Sequence, residues 1–232
     1  MKDRALAFLS AISFLIFVAI AAAVRMLPQL QSLDLQAALW FNNLSLGDTL
    51  NSVLVGASLY GREYFWISLV ALMFLFGDRQ TKMLALGLCG VFVVGVIAGE
   101  VAKDLVARAR PWVYLAHLQS SQFNPPVMRI PFDTDFSFPS GHALIVSIGA
   151  IYSLITFRRK WVAGLLALEA AVVCVSRVYT FEHYPTDVLG GVLLGAAIAP
   201  AGVLVGRRYL LKWASAAADY LVRLFREGPL RL

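Results

Sequence analysis

Charged residues are scarce in this sequence. Asp, Glu, Lys and Arg make up 15% of its 232 residues and hydrophobic residues make up 59%, whereas charged residues reach about 25% of a typical soluble domain. This composition excludes a soluble globular protein and indicates that the chain lies in a lipid bilayer. A membrane-spanning helix needs about 20 mostly apolar residues, so we expect about six spans with short loops. They would form one membrane-embedded domain over residues 1–232.

Cysteines and long basic runs are also lacking. The two cysteines, Cys89 and Cys174, lie inside apolar segments, where a free thiol behaves as a small buried hydrophobe. They predict neither a disulfide framework nor a metal site, and no cofactor is implied. The net charge of +6 comes from Lys and Arg residues dispersed around the apolar segments. Membrane lipids explain this pattern better than a nucleic-acid partner does.

Long apolar segments are what the sequence does contain. The first, 5–24, follows a basic start as a cleaved secretory signal does. It exceeds the usual signal core of about 7 to 15 residues, so we interpret it as a retained span. The predicted fold is all-α, a polytopic membrane protein in which six transmembrane helices form a bundle with short amphipathic helices in the outer loops. The other spans are predicted at about 62–77, 81–104, 141–157, 161–178 and 185–205, followed by a basic amphipathic tail at about 206–232.

The placement of Lys and Arg predicts the orientation of these spans, because short cytoplasmic loops are enriched in both residues. With the amino terminus in the cytoplasm, most basic residues fall on that side, as expected for a plasma-membrane protein. Four cations near the ends of spans fall on the outer side instead: Lys103, Arg108, Arg110 and Arg177. Topology disfavours this placement, which indicates a functional role.

The outer side also collects most of the polar chemistry, in the stretches KDLVARARP (103–111), FPSGH (138–142) and SRVYTFEHYPTD (176–187). Folding the spans into a bundle brings these stretches together in a pocket with fixed cations, two histidines and one aspartate. Such a pocket suits a phosphate dianion, since Arg binds phosphate oxygens in a bidentate manner and Lys acts as a point charge. Lys103 and Arg110 also have a simpler interpretation as interfacial residues that reach the headgroups.

The second stretch predicts the start of a helix. Ser140 is placed to cap this helix, and the unpaired amides near Gly141 can bind an anion. His142 follows in the first turn, where it could act as the general acid toward a leaving oxygen.

His183 and Asp187 are four residues apart, on one face of the last helix if that helix begins by Tyr184 or Pro185. An Asp that accepts a hydrogen bond from one imidazole nitrogen fixes the tautomer and leaves the other nitrogen free to attack phosphorus. Asp187 also suits the first turn of a helix through the helix dipole. Arg177 can reach the same phosphate or serve as a structural ion-pair partner.

In order and spacing, these motifs resemble the signature of the type 2 phosphatidic acid phosphatase superfamily, which is related to vanadium-dependent haloperoxidases. The resemblance covers about residues 95–205. It implies a six-helix bundle and metal-independent hydrolysis of a lipid phosphate through a phosphohistidine on His183, with Asp187 assisting and His142 protonating the leaving group. It also implies a set of residues that hold the phosphate oxygens: Lys103, Arg110, Ser140, Gly141 and Arg177.

The residues leave the substrate open. Many short bacterial relatives recycle a polyprenyl diphosphate such as undecaprenyl diphosphate, and Arg108 and Arg129 could meet a second phosphate, so we expect such a diphosphate. Phosphatidylglycerophosphate, phosphatidic acid and lipid A phosphates stay as alternatives. A noncatalytic lipid-phosphate binder or transporter is another, although binding alone needs neither the histidines nor Asp187. Weaker signals come from His117, Glu182 and Glu100, the last being an intrahelical partner for Lys103.

Overall fold

A computed structural model describes residues 2–118 and 126–226, with side chains as far as Tyr209 apart from that of Glu63. The described residues form nine α-helices, numbered in chain order: α1 Asp3–Met26, α2 Pro28–Asn42, α3 Gly47–Tyr60, α4 Glu63–Phe76, α5 Arg79–Val106, α6 Pro111–Leu118, α7 Gly141–Thr156, α8 Lys160–Tyr179 and α9 Pro185–Arg226. The predicted all-α class is confirmed over these ranges.

Local sequence sets the ends of the helices that surround the polar stretches. Ala107 adopts the left-handed conformation, with φ of 52°, and ends α5. Ser140 caps α7 by accepting a hydrogen bond from the Ala143 amide at 3.5 Å, as predicted. Pro185 begins α9, a position that suits a residue without an amide hydrogen. These caps place three polar segments at helix ends rather than inside the helices.

Four of the described helices are long and apolar enough to cross a membrane: α1, α5 with its extension to Leu118, α8, and α9 as far as Tyr209. The α3–α4 pair adds a fifth if its two helices, which meet at 64°, form one bent span. These findings confirm a multi-pass helical membrane protein with four to five candidate spans. The count of six stays a prediction, because α7 has 16 residues and rises only about 24 Å.

The second predicted span needs correction. Residues 62–77 correspond to α4, which has 14 residues and rises about 21 Å, less than the bilayer core of about 30 Å. The moderately apolar stretch before it forms α3, so a crossing at this place would need both helices. At the other end of the chain, α9 continues past the predicted boundary at 205 to Arg226. The rest of the predicted tail, 227–232, lies outside the described residues.

The centre of the bundle is α7, which packs against α5, α8 and α9. Its contact with α9 is close because two glycines of α9 face the α7 backbone. A Cβ on Gly191 would lie 2.6 Å from the Ser140 carbonyl oxygen, and one on Gly195 would lie 2.9 Å from Ser147 Cβ. Small residues allow helices to approach in this way. The contact holds the start of α7 beside the start of α9.

We expect Gly191→Ala to lower the free energy of unfolding by about 1–3 kcal/mol, because the added methyl group must push α9 away from α7. Gly164→Ala is the matched control, since a Cβ at this helical position meets nothing within 4 Å and alanine is the better helix former. Thermal unfolding of the purified proteins in one detergent compares them. An unchanged midpoint for Gly191→Ala would contradict the close packing.

Candidate active site

The three polar stretches meet at one end of the bundle, which we call the site end. It consists of the carboxyl ends of α5 and α8 and the amino ends of α7 and α9. A cavity of about 400 Å³ opens there, which we call the polar cavity, and ten of the described residues line it: Arg62, Glu100, Lys103, Arg110, Asp133, Thr134, Asp135, Gly141, His142 and His183. Five of them are predicted site residues. The other three predicted residues, Ser140, Arg177 and Asp187, are buried next to the cavity.

His183 lies in the link between α8 and α9 and is almost fully buried. Its Nδ1 lies 2.9 Å from the Ser137 carbonyl oxygen. Because a carbonyl only accepts, we assign the proton to Nδ1, which leaves the lone pair on Nε2. Asp187 Oδ2 is 3.5 Å from the same Nδ1. The orienting hydrogen bond expected from Asp187 is therefore made by Ser137, and Asp187 adds a longer contact.

Burial lowers the pKa of His183 well below its usual value, and the positive charges of Arg110, Arg177 and Lys103 lower it further. The folded protein thus favours the neutral imidazole, which is the form that can attack an electrophile. This shift makes the free energy of unfolding depend on pH. The stabilisation contributed by the neutral ring is present above the unfolded-state pKa of about 6.5 and is lost as pH falls below it.

Nuclear magnetic resonance can test the protonation state of His183, because the chain has only three histidines. In protein labelled with ¹⁵N-histidine, we expect the His183 ring to stay neutral well below pH 6.5. His183→Gln identifies its signal, and Lys103→Met, which removes a nearby positive charge, should raise its pKa. A His183 ring that is already protonated at pH 6.5 would contradict the electrostatic picture.

Asp187 is held by a buried arginine behind His183. Arg108 donates from Nη1 to Asp187 Oδ1 at 2.6 Å and from Nη2 to Asp34 Oδ2 at 2.7 Å. All three side chains are buried, and the guanidinium lies 3.8 Å from the centre of the Tyr184 ring. We call Arg108, Asp34 and Asp187 the arginine clasp. Arg108 is not among the residues lining the polar cavity, so its position does not support the expected contact with a second phosphate.

Lys103 and Arg110 share one carboxylate of the cavity lining. Lys103 Nζ lies 2.6 Å from Asp135 Oδ2, and Arg110 also donates to Asp135. Burial raises the pKa of Asp135, but hydrogen bonds from the two cations outweigh it and lower that pKa to about 2. Glu100 lies 3.0 Å from Lys103 Nζ, which confirms the predicted intrahelical pair. The Asp135 side chain is 47% exposed, and pairs open to solvent are weak, so an anion can displace this carboxylate.

Glu182 is a buried carboxylate whose role the sequence did not reveal. It accepts from Arg110 Nη1 at 2.5 Å and lies 3.6 Å from Arg177 Nη2. Burial raises the pKa of Glu182 to about 7, although Arg177 and Arg110 act in the opposite direction. Arg177 also donates to Ser58 Oγ at 2.7 Å and lies 3.4 Å from Asp133. These contacts fix both guanidinium groups beside the cavity.

The amino end of α7 forms one wall of the polar cavity. Gly141 and His142 line it, and the Ser140 amide donates to the backbone carbonyl of Asp187 at 3.0 Å. Arg62, from the break between α3 and α4, lines the same cavity, and its Nη1 lies 3.0 Å from where a Cβ would stand on Gly141. Arg62 was not among the residues predicted for the site. It could have been predicted from charge placement, because Arg62 stands at the outer end of the second predicted span.

Two other residues considered from the sequence lie elsewhere. Arg129 donates to Asn51 Oδ1 at 3.1 Å and stacks over the Tyr179 ring at 4.0 Å. His117 is exposed in the last turn of α6. Neither residue lines the polar cavity.

The fold and the site together define a class, a helical membrane protein with a polar cavity in which a buried histidine lies beside clustered cations. The profile of the PAP2 superfamily matches residues 84–209, more than half of the chain. The chain therefore belongs to the PAP2 superfamily, and the resemblance drawn from the three motifs is confirmed.

Several relatives of this chain are named as phosphatases. An undecaprenyl-diphosphatase of Sulfolobus acidocaldarius is 42% identical over 151 residues, 65% of this chain and 68% of the relative. Phosphatidylglycerophosphatase B of Bacillus subtilis is 29% identical over 197 residues, 78% and 87% of the two chains. The crystal structure of a transmembrane PAP2-type phosphatidylglycerolphosphate phosphatase from Bacillus subtilis matches with a TM-score of 0.66 at 25% identity, covering 86% of this chain and 96% of that one. The protein is accordingly a membrane phosphatase of the PAP2 type.

Proposed function

We propose that this protein hydrolyses a lipid phosphate or diphosphate through a phosphohistidine on His183, and that a polyprenyl diphosphate is its leading substrate. The observation that carries the proposal is the buried imidazole, whose Nδ1 lies 2.9 Å from the Ser137 carbonyl oxygen, in a cavity that Lys103 and Arg110 also line. A neutral imidazole with a fixed tautomer is suited to nucleophilic attack. A site that only binds phosphate does not need a neutral imidazole with a fixed tautomer.

The first step forms a bond between His183 Nε2 and phosphorus and breaks the bond from phosphorus to the leaving oxygen, to which His142 donates a proton. In the second step His142 accepts a proton from water, the water oxygen attacks phosphorus, and the bond to His183 breaks to release inorganic phosphate. Charge on the phosphoryl oxygens is stabilised by fixed groups: Lys103, Arg110, Arg177, Ser140 and the Gly141 amide. Because these cations and neutral donors belong to the chain, the proposed reaction requires no metal ion.

Substrate binding replaces the carboxylates that now pair with the cations. The side chains of Asp133 and Asp135 are 55% and 47% exposed, so they can turn outward. A phosphate dianion carries more charge than a carboxylate and offers three oxygens to the same donors. Buried Glu182 stays in place and keeps Arg110 and Arg177 aligned.

A second cavity favours a lipid substrate. It measures about 710 Å³ and has a mostly apolar lining from α4, α5 and α7, including Trp66. We call it the apolar groove. It shares three lining residues with the polar cavity: Arg62, Glu100 and Gly141. A hydrocarbon tail in this groove would lead directly to a phosphate at His183.

The names of two relatives support two substrate head groups, a polyprenyl diphosphate and phosphatidylglycerophosphate, to different degrees. The relative named undecaprenyl-diphosphatase is 42% identical, whereas the one named phosphatidylglycerophosphatase B is 29% identical over a larger share of the chain. The higher identity favours a polyprenyl diphosphate. Phosphatidylglycerophosphate is the second candidate, ahead of phosphatidic acid and lipid A phosphates.

The proposed setting is the plasma membrane, with the site end on the extracytoplasmic side and the chain as one domain. The distribution of Lys and Arg around the spans supports this orientation. It requires six crossings, so α7 would be the sixth, surrounded by the other helices rather than by lipid.

Phosphate release by the purified protein tests the function. In detergent with EDTA, we expect release from undecaprenyl diphosphate to exceed release from phosphatidylglycerophosphate, phosphatidic acid and a lipid A phosphate. Faster release from one of the lipid monophosphates would identify that lipid, rather than the polyprenyl diphosphate, as the preferred substrate. Binding of these lipids without any release would favour the noncatalytic binder, and release that returns only with added Mg²⁺ would contradict the metal-independent reaction.

A further inference from the structure

Arg62 stands at the border between the two cavities. It lies at the break between α3 and α4, where the helices meet at 64°, and it lines both the polar cavity and the apolar groove. The other two residues shared by the cavities are Glu100 and Gly141. A substrate with its phosphoryl group at His183 and its tail in the groove therefore passes Arg62 at the junction between head group and tail.

The guanidinium of Arg62 is close to the start of α7. Its Nη1 lies 3.0 Å from where a Cβ would stand on Gly141, and the next residue is His142, the proposed general acid. Nearby acidic groups attract the Arg62 charge and Arg110 repels it; the acidic groups are Asp133, Asp135 and Glu100. Arg62 is thus part of the cation cluster, but it lies on the side that faces the groove.

The chemistry at this border differs between two classes of lipid substrate. In a lipid diphosphate, attack of His183 on the terminal phosphorus breaks the bond to the bridging oxygen, and the leaving group is a lipid monophosphate. This second phosphate then lies between the terminal phosphorus and the tail. In a lipid monophosphate the leaving group is an alcohol, and the same place holds an uncharged carbon–oxygen segment.

We propose that Arg62 binds the lipid-side phosphate of a diphosphate substrate and stabilises the negative charge that develops on it as the bridging bond breaks. His142 supplies the proton that the bridging oxygen takes up. The inference rests on the proposed function and adds to it a residue that distinguishes diphosphates from monophosphates. A monophosphate offers Arg62 no second phosphate, so the residue contributes less to its hydrolysis.

A matched pair of substrates tests the role of Arg62. Farnesyl diphosphate and farnesyl monophosphate have the same tail and differ by one phosphate, so the ratio of their kcat/KM values isolates the second phosphate. We expect Arg62→Gln to lower this ratio by about 10- to 100-fold, the loss typical of one charge-assisted contact. Arg62→Lys should recover part of the ratio, because it keeps the charge and loses the bidentate geometry.

Arg129→Gln is the matched control. It removes another arginine from the region of the site end, but Arg129 does not line the polar cavity, so the ratio should stay within about twofold. An Arg62→Gln protein that loses activity equally on both substrates, or on neither, would overturn the inference, and so would an unmodified protein that hydrolyses only the monophosphate. Full activity of His183→Ala would instead overturn the proposed function, and absence of release from both substrates by the unmodified protein would overturn both.

Discussion

His183→Ala is expected to lower kcat/KM for phosphate release by about 10⁴-fold or more, because it removes the nitrogen proposed to form the phosphoenzyme. The substitution leaves a small space beside the Ser137 carbonyl group and keeps the cation cluster. Lipid phosphate should therefore still bind, and the loss should appear in kcat rather than in binding. Release of inorganic phosphate from a polyprenyl diphosphate gives the rate.

His117→Ala is the matched control, since it removes an exposed histidine of α6 that does not line the cavity. This variant should keep the rate of the unmodified protein. Mass spectrometry after rapid quenching at alkaline pH should find phosphate on His183 in the unmodified protein. A rate within tenfold of normal for His183→Ala, or phosphate on a different residue, would reject the assignment of the nucleophile.

Arg108→Leu is expected to lower the free energy of unfolding by about 3–5 kcal/mol, because it leaves two buried carboxylates without their shared cation. Asp34 and Asp187 are both almost fully buried, and each lies within 2.7 Å of an Arg108 nitrogen. Activity should fall as well, since Asp187 loses the contact that holds it near His183. Thermal unfolding in detergent measures the first effect and phosphate release the second.

Two further variants test whether the loss of stability comes from the arginine clasp or from the removal of any arginine in this region. Arg129→Leu removes a guanidinium that stacks on Tyr179 and has no ion pair with a buried carboxylate among the described contacts, so it should destabilise the protein much less. Asp34→Asn combined with Arg108→Leu should recover part of the stability, because one of the unpaired charges is gone. Equal unfolding midpoints for Arg108→Leu and Arg129→Leu would contradict the proposed importance of the clasp.

Most residues that line or adjoin the polar cavity could be predicted from the sequence, because they obey rules that act over short distances. Ser140 and Pro185 mark helix starts, and a helix start places backbone amides and a first-turn side chain at a predictable position. Lys103, Arg110 and Arg177 stood out because cations are disfavoured on the outer side of a membrane protein. Each of these signals can be read from a few neighbouring residues.

Two contributions to the site depend on distant parts of the chain and could not be predicted from the sequence. Glu182 stands in a short link, and only the folded chain shows that two arginines from α8 and the α5–α6 link surround it. Ser137 contributes its backbone carbonyl group, which every residue has, so the residue type at this position could not predict the hydrogen bond to His183. A bent crossing by α3 and α4 together was not predicted for a similar reason, since neither helix alone has the length of a crossing and the pair packs against distant helices, α5 and α8.

The arginine clasp also links catalytic competence to the order of synthesis. Arg108 follows Asp34 by 74 residues and precedes Asp187 by 79 residues, so the clasp joins distant parts of the chain. The segment that supplies Asp187 also supplies His183, and it is made after α1 to α8. A chain that stops at the end of α8 therefore lacks His183, the proposed nucleophile, and holds Arg108 without its partner Asp187. In the proposed reaction, hydrolysis can therefore begin only after the segment with His183 and Asp187 has joined the bundle, and unfinished chains would leave lipid phosphates in the membrane intact.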